Sequence, residues 1–204
     1  MRVLVVGVLL FISPGLSFAQ GSIHKVDFKN FSYPLSGPLL GHSELKWLGN
    51  PKDGYSKRKP IYLVNGENLA KSSSFVTDGH EYTLWEGFTL QSVRYADVTG
   101  DGKDYAIVVL LYKTGGTQNT HYVYIYSFDA GKPKLLAYCH TGSRGYSGLY
   151  RVYGERGMLV FELLDPRKMK GECCSSGFVR TRYQLHDGRF QHFGVPEYGA
   201  LKEP

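Results

Sequence analysis

The sequence predicts a single antiparallel all-β domain, a meander of hairpins forming a sandwich or propeller-like body with little helix. Three observations carry that prediction. Short apolar-alternating runs are separated at intervals by Gly-containing turns such as Asn65-Gly66, Asp78-Gly79 and Asp187-Gly188, the pattern of strands joined by tight loops. The run Tyr105–Tyr112, "YAIVVLLY", is apolar on both alternating faces, as a central strand covered on two sides requires. No segment of ten or more residues repeats its apolar residues with helical period. A chain of 204 residues with 42% hydrophobic and 14% aromatic content has ample material for one core.

The elements follow in order. Residues 1–19 read as a secretory leader: Arg2, an apolar run from Val3 to Ile12, a Pro14-Gly15 break, and small residues at Ser17 and Ala19 before a cut after Ala19. The run is too short and too broken to span a bilayer, and no second long apolar run follows, so a mature chain without a membrane anchor is expected. Residues 20–60 form an N-terminal segment and a covering loop rich in Gly, Pro and Ser, with at most a short helix. Residues 61–195 form the β-domain core. It opens with hairpins in "PIYLVNGENLAK" and "SSFVTDGHEYTLWEGF" and continues through "YAIVVLLY" and "HYVYIYSF". Three further strand–turn–strand units, "YSFDAGKPKLLAY", "YRVYGERGMLVFELL" and "VRTRYQLHDGRFQHF", complete it. Residues 196–204 are a tail.

Charge and cysteine usage narrow the partners. The formal net charge is +6, falling to +5 once the leader with its one base, Arg2, is removed. The bases are scattered, densest in "KDGYSKRK" (Lys52–Lys59), which reads as a solvated loop and not a nucleic-acid surface. Three cysteines, Cys139, Cys173 and Cys174, leave one thiol over in an oxidising compartment. The alternatives are a long-range bridge from Cys139 to either neighbour, closing a loop worth about 3–4 kcal/mol, or a strained ring between Cys173 and Cys174.

The stretch closest to a chemical device is "DVTGDGKDYAIVVL" (Asp97–Leu110). Asp97, Thr99 and Asp101 stand at loop positions one, three and five, Gly102 falls at the turn, and the carbonyl of Lys103 is at the seventh, a register suited to calcium. The ninth position, where a carboxylate closes such a loop, holds Tyr105, and Asp104 comes one place early. The competing reading is a tight turn in which Asp and Gly serve the backbone. The stretch resembles the aspartate-rich loop of FG-GAP and VCBS-type repeats, found in integrin-like propellers and secreted bacterial proteins. Together with "YKTGGTQNTHYVYIYSFDAGKPKLLA", "SGLYRVYGERGMLVFEL" and "FVRTRYQLHDGRF", it looks like a family of small secreted bacterial proteins of unknown function. That resemblance implies export, a β-rich fold and a role at the envelope, and the family form carries an acid where this chain has Tyr105.

Groups for bond-breaking chemistry are sparse. No Gly-x-Ser-x-Gly elbow occurs, and Cys139 and His140, adjacent on a strand, point to opposite faces. His186 and His192 flank the Asp187-Gly188 turn, where they could face one another, but two ligands do not complete a zinc site. Sixteen tyrosines include Tyr122, Tyr124 and Tyr126 on one strand face, which either packs beneath a neighbouring sheet or, if exposed, offers an aromatic binding surface. The reading that follows is an exported, non-catalytic β-module that binds a protein or glycan at the cell envelope, with calcium as the one candidate cofactor. The alternative is a secreted hydrolase of cell-wall or extracellular polysaccharide that uses Asp97, Asp101 and Glu162 in a groove. A secreted inhibitor presenting "LDPRKMKGECC" is a third.

Overall fold

The computed structural model describes residues 22–36, 45–48, 57–171 and 174–201. The expected leader, and most of the Gly/Pro/Ser-rich stretch before residue 57, lie outside the described residues. In chain order the strands are β1 (Ser32–Ser36), β2 (Lys46–Leu48), β3 (Lys57–Tyr62), β4 (Glu67–Thr77), β5 (His80–Ala96), β6 (Tyr105–Thr114) and β7 (Asn119–Asp129). They continue as β8 (Lys132–Ser143), β9 (Leu149–Glu155), β10 (Met158–Leu164), β11 (Met169–Lys170), β12 (Cys174–Ser175), β13 (Gly177–His186) and β14 (Arg189–Ala200). Helix among the described residues amounts to two 3₁₀ turns, Ile23–Lys25 and Pro166–Lys168.

The predicted central strand is central. β6 sits inside a six-stranded antiparallel sheet of order β2-β8-β7-β6-β5-β4, and β9, β10, β13 and β14 form a second sheet of order β14-β13-β10-β9. The two apolar faces of β6 serve different cores. Ala106, Val108, Leu110 and Tyr112 pack with Tyr122, Tyr124, Tyr126 and Tyr138 beneath the N-terminal segment, which contributes Ile23, Phe28, Tyr33, Leu35, Ile61 and Leu63. On the opposite face Ile107 and Val109, with Val123, Ile125 and Cys139, meet Val152, Leu159, Phe161 and Phe190 of the second sheet. A single domain thus stacks the β1/β3 pair, the six-stranded sheet and the four-stranded sheet as a layered sandwich.

Tight turns set the register. At Asn65-Gly66, Asp78-Gly79, Ala130-Gly131, Arg156-Gly157 and Asp187-Gly188 both residues have positive φ, the backbone of two-residue loops whose twist suits antiparallel partners. Four of these join the strands that the sequence pairs. The fifth does not build the expected hairpin: β3 pairs with β1, from Ser32↔Tyr62 to Ser36↔Lys57, and only an isolated Val64↔Glu67 bridge closes over Asn65-Gly66.

Three further expectations change. Within residues 20–60, described parts of the covering loop are strands β1, β2 and the start of β3, and they bury core residues such as Tyr33 and Leu48. The tail is no tail up to Ala200, because β14 runs through residue 196 and pairs Glu197 with Arg180 and Ala200 with Gly177. Cys139 is a free thiol, fully buried on β8, so neither long-range disulfide forms, and burial holds its thiol far above the usual range. The remaining alternative, a Cys173–Cys174 ring, involves Cys173, which lies outside the described residues.

Candidate functional site

The acidic loop closes on its own backbone. Asp97 ends β5, and its carboxylate accepts from the N–H groups of Thr99 at 3.0 Å, Gly100 at 2.7 Å and Gly102 at 2.9 Å. Partial burial pushes the Asp97 carboxyl up, but those donors outweigh it and hold it below the ordinary carboxylate value. Asp101 accepts from the N–H of Lys103 at 3.0 Å and from the Tyr105 hydroxyl at 3.2 Å, with the Lys103 ammonium 3.6 Å away. Asp104 turns outward to His24, 2.8 Å away, whose ring stacks on Tyr95.

Calcium takes six to eight oxygens, and several of the candidate oxygens here already accept hydrogen bonds within the loop. The carboxylates of Asp97 and Asp101 are occupied by hydrogen-bond donors. Tyr105 stands at the ninth position as a donor to Asp101. Among the described residues no group of three His, Cys, Asp or Glu side chains gathers at metal-binding distance. Thr99 and Lys103 sit in the expected register, and the hydrogen bonds of Asp97 and Asp101 close the loop as a turn. It is also wedged in place from the second sheet: a Cβ on Gly157 would fall 2.6 Å from the Cα of Gly100, and one on Gly154 would fall 2.5 Å from the Ala96 Cβ. The tight β9–β10 turn and the acidic loop interlock there because neither glycine carries a side chain.

The third acid of the hydrolase alternative is engaged elsewhere. Glu162, buried on the outer face of the four-stranded sheet, accepts from Arg180 at 2.7 Å and from the Tyr153 hydroxyl at 3.2 Å. Arg180 continues to Glu197 at 3.2 Å, and Arg182 joins Glu197 to Glu155. This is a ladder of cross-strand ion pairs in which a nearly buried carboxylate is matched by a guanidinium. His186 and His192 do not meet: His186 pairs with Arg189 and His192 with Tyr183, the latter edge-on at 5.9 Å.

The tyrosine row is core. Tyr122 and Tyr124 are 0% exposed and Tyr126 is 3% exposed, so they offer no binding face. Tyr124 stacks on Tyr138 with centroids 5.1 Å apart. Three phenols of this layer satisfy polar groups of the N-terminal segment, while the buried hydroxyl of Tyr126 has no hydrogen-bond partner among the described residues. Tyr124 donates to the Pro34 carbonyl at 2.9 Å, Tyr33 donates to the Phe28 carbonyl at 2.7 Å, and Tyr138 bonds Ser36. The irregular N-terminal layer leaves carbonyls without ladder partners, and hydroxyls satisfy them.

Besides the exposed Phe193 and Tyr198 of β14, exposed aromatics gather on the β4–β5 hairpin, which the sequence predicts but places within the β-domain core. β4 and the first half of β5 extend as a two-stranded arm, with nearly every residue from Lys71 to Glu81 exposed. Phe75 (48% exposed) stacks on its register partner Tyr82 (47%) at 5.4 Å, while Val76 (70%) and Trp85 (50%) are also uncovered. The arm leaves the core at Gly87, whose φ is +136° and where a Cβ would fall 2.0 Å from the Asn68 carbonyl oxygen. The available signal was the aromatic content of "SSFVTDGHEYTLW" combined with the absence of another apolar segment to cover it. No protein-family model, curated protein or solved structure matches this chain.

Proposed function

We propose that this is an exported, non-catalytic β-module that binds a protein or glycan of the cell envelope through the β4–β5 arm. The carrying observation is the set of four large apolar side chains, Phe75, Val76, Tyr82 and Trp85, held in solvent on a hairpin that contributes nothing to either core. Clustered exposed aromatics cost solubility and mark interaction surfaces, and planar rings suit both sugar faces and protein partners. Export is supported by the leader-like first nineteen residues. Among the described residues no helix is long and apolar enough to cross a membrane. The non-catalytic reading is supported by the engagement of Asp97, Asp101 and Glu162 in structural hydrogen bonds.

The test is cosedimentation of the purified protein with isolated cell-wall glycan and with an envelope protein fraction, with Trp85 emission as a second readout. Binding to one of them should be lost in a Phe75→Ser/Tyr82→Ser/Trp85→Ser variant that keeps its melting temperature. Equal binding by wild type and variant would reject the arm as the working surface.

A further inference from the structure

Resting on the arm being the interaction surface, a partner for it can be named. We propose that the arm pairs with a second copy of this chain, β4 against β4 antiparallel, with the two-fold axis at Ser74. The pairing joins two six-stranded sheets into one that is continuous across the axis.

The first ground is the contrast among the four edges of the two large sheets. An open edge presents unpaired N–H and C=O groups, and proteins blunt such edges by shortness, charge, proline or bulges. β2 is three residues long. β9 carries Arg151 and Glu155 within seven residues. β14 carries Gly194 and Pro196, where its register against β13 breaks between Arg180 and Arg182, along with Arg189 and Glu197. β4, the outer strand of the six-stranded sheet, is eleven residues long; its register against β5 shifts between Lys71 and Ser73, and from Ser73 to Thr77 it runs regularly with no charge and no proline. From Ser73 to Thr77 this edge carries none of those devices among the described residues, and it bears the exposed Phe75 stacked on Tyr82, whereas the exposed Phe193 and Tyr198 of β14 flank its Gly194 and Pro196.

The second ground is self-complementarity. Antiparallel pairing about Ser74 sets "SSFVT" (Ser73–Thr77) against the other copy, so that Phe75 of one copy lies opposite Ser73 of the other, up to the register shift between Lys71 and Ser73. The bulky Phe75 meets the small Ser73, and Lys71, lying beyond the end of this stretch, is kept away from its own copy. Cross-strand neighbours of this kind interdigitate, whereas like charges directly opposite would repel. Because directly opposed residues of an antiparallel pair point to the same sheet face, both Phe75–Tyr82 stacks fall on one face of the joined sheet, one on each side of the axis. The interface is isologous and closes at two copies.

Sedimentation velocity over a wide concentration range tests the pairing, and single cysteines test its register. The expected result is a monomer–dimer equilibrium that Ser74→Lys weakens roughly fivefold or more by placing two ammonium groups opposite one another. The melting temperature of the dilute monomer should stay unchanged, since lysine is a natural residue at an open edge. On air oxidation Ser74→Cys alone should cross-link to itself. Phe75→Cys should cross-link with Ser73→Cys and not with itself, because only directly opposed Cα atoms fall within disulfide reach. A monomer at every concentration overturns the proposal, as does a dimer untouched by Ser74→Lys or cross-linked through Phe75→Cys alone. If the protein stays monomeric while the serine variant of the arm still loses envelope binding, the second copy is wrong and the binding arm stands.

Discussion

The centre of the six-stranded sheet and its arm share one hydrogen-bonded ladder, yet they obey opposite rules. β6 and β7 are buried on both faces, and side chains from three layers meet there. The distal halves of β4 and β5 are bare on both faces, and a two-stranded ribbon without a layer against it is marginal by itself. β5 passes from one regime to the other: Phe88 is 5% exposed and Trp85 50%. The difference teaches that the arm is held out by the body and contributes little to it. Its aromatic residues are therefore free of any packing duty, which separates folding from binding in a way that substitution can test.

The largest effect is expected at the centre. Tyr124 is fully buried among Tyr33, Tyr122, Tyr126 and Tyr138 and donates to Pro34. Tyr124→Ala should cost about 3–5 kcal/mol through the cavity and the orphaned carbonyl, read as a shifted urea midpoint. Tyr124→Phe should cost about 1 kcal/mol, the share of the hydrogen bond alone. Were Tyr124→Ala no worse than a substitution on the arm, the distinction between the two regions would collapse.

Next comes a pH effect, also confined to the body. His121, opposite Leu111 in the β6–β7 ladder, has a buried Nδ1 with no hydrogen-bond partner, and burial depresses its pKa to about 4. A pKa lowered by folding gives stability that is present above the unfolded value, near 6.5, and is lost as pH falls towards the folded one. Between pH 7 and pH 5 the loss should be about 2 kcal/mol. His121→Leu should remove that part of the pH dependence in paired urea titrations, and an unchanged pH profile would show that the imidazole reaches water.

A smaller effect concerns the acidic loop. With both carboxylates engaged by N–H and O–H donors, the melting temperature should be the same in chelator and in millimolar calcium. Asp97→Ala should lower it under both conditions by releasing three N–H groups at once. A calcium-dependent rise abolished by Asp97→Asn would instead assign an ion to the loop.

Much of the body was legible because its signals are local. The two apolar faces of "YAIVVLLY" required two covering layers, and Gly-containing two-residue turns fixed four hairpins with their register. What was not legible depends on tertiary placement. Asn65-Gly66 looks like its fellow turns, but β3 finds its partner in β1, a pairing set by the shared burial of Tyr33 and Ile61. The tyrosine row had the right periodicity for either a core or a binding face, and only the N-terminal layer above it decides. The calcium register was readable, whereas the turn's self-satisfaction was not, since it rests on where Tyr105 and the backbone donors point. The arm was hidden for the converse reason: its alternation is that of an ordinary hairpin, and exposure follows from the lack of any layer above or below it.

The smallest stability effect carries the most functional weight. Phe75 and Tyr82 stack on each other and touch neither core, so each replacement by alanine removes at most a solvent-exposed cross-strand pair. Such pairs are worth roughly 0.2–1 kcal/mol. They also belong to the arm's own ladder, which opens locally before the body unfolds. Global unfolding of Phe75→Ala and Tyr82→Ala should therefore stay within about 0.5 kcal/mol of wild type. Amide exchange along residues 72–83 should speed up in both. If either substitution destabilises the whole domain as Tyr124→Ala is expected to, the aromatic pair is part of the scaffold, and the arm's exposure would need an explanation other than binding.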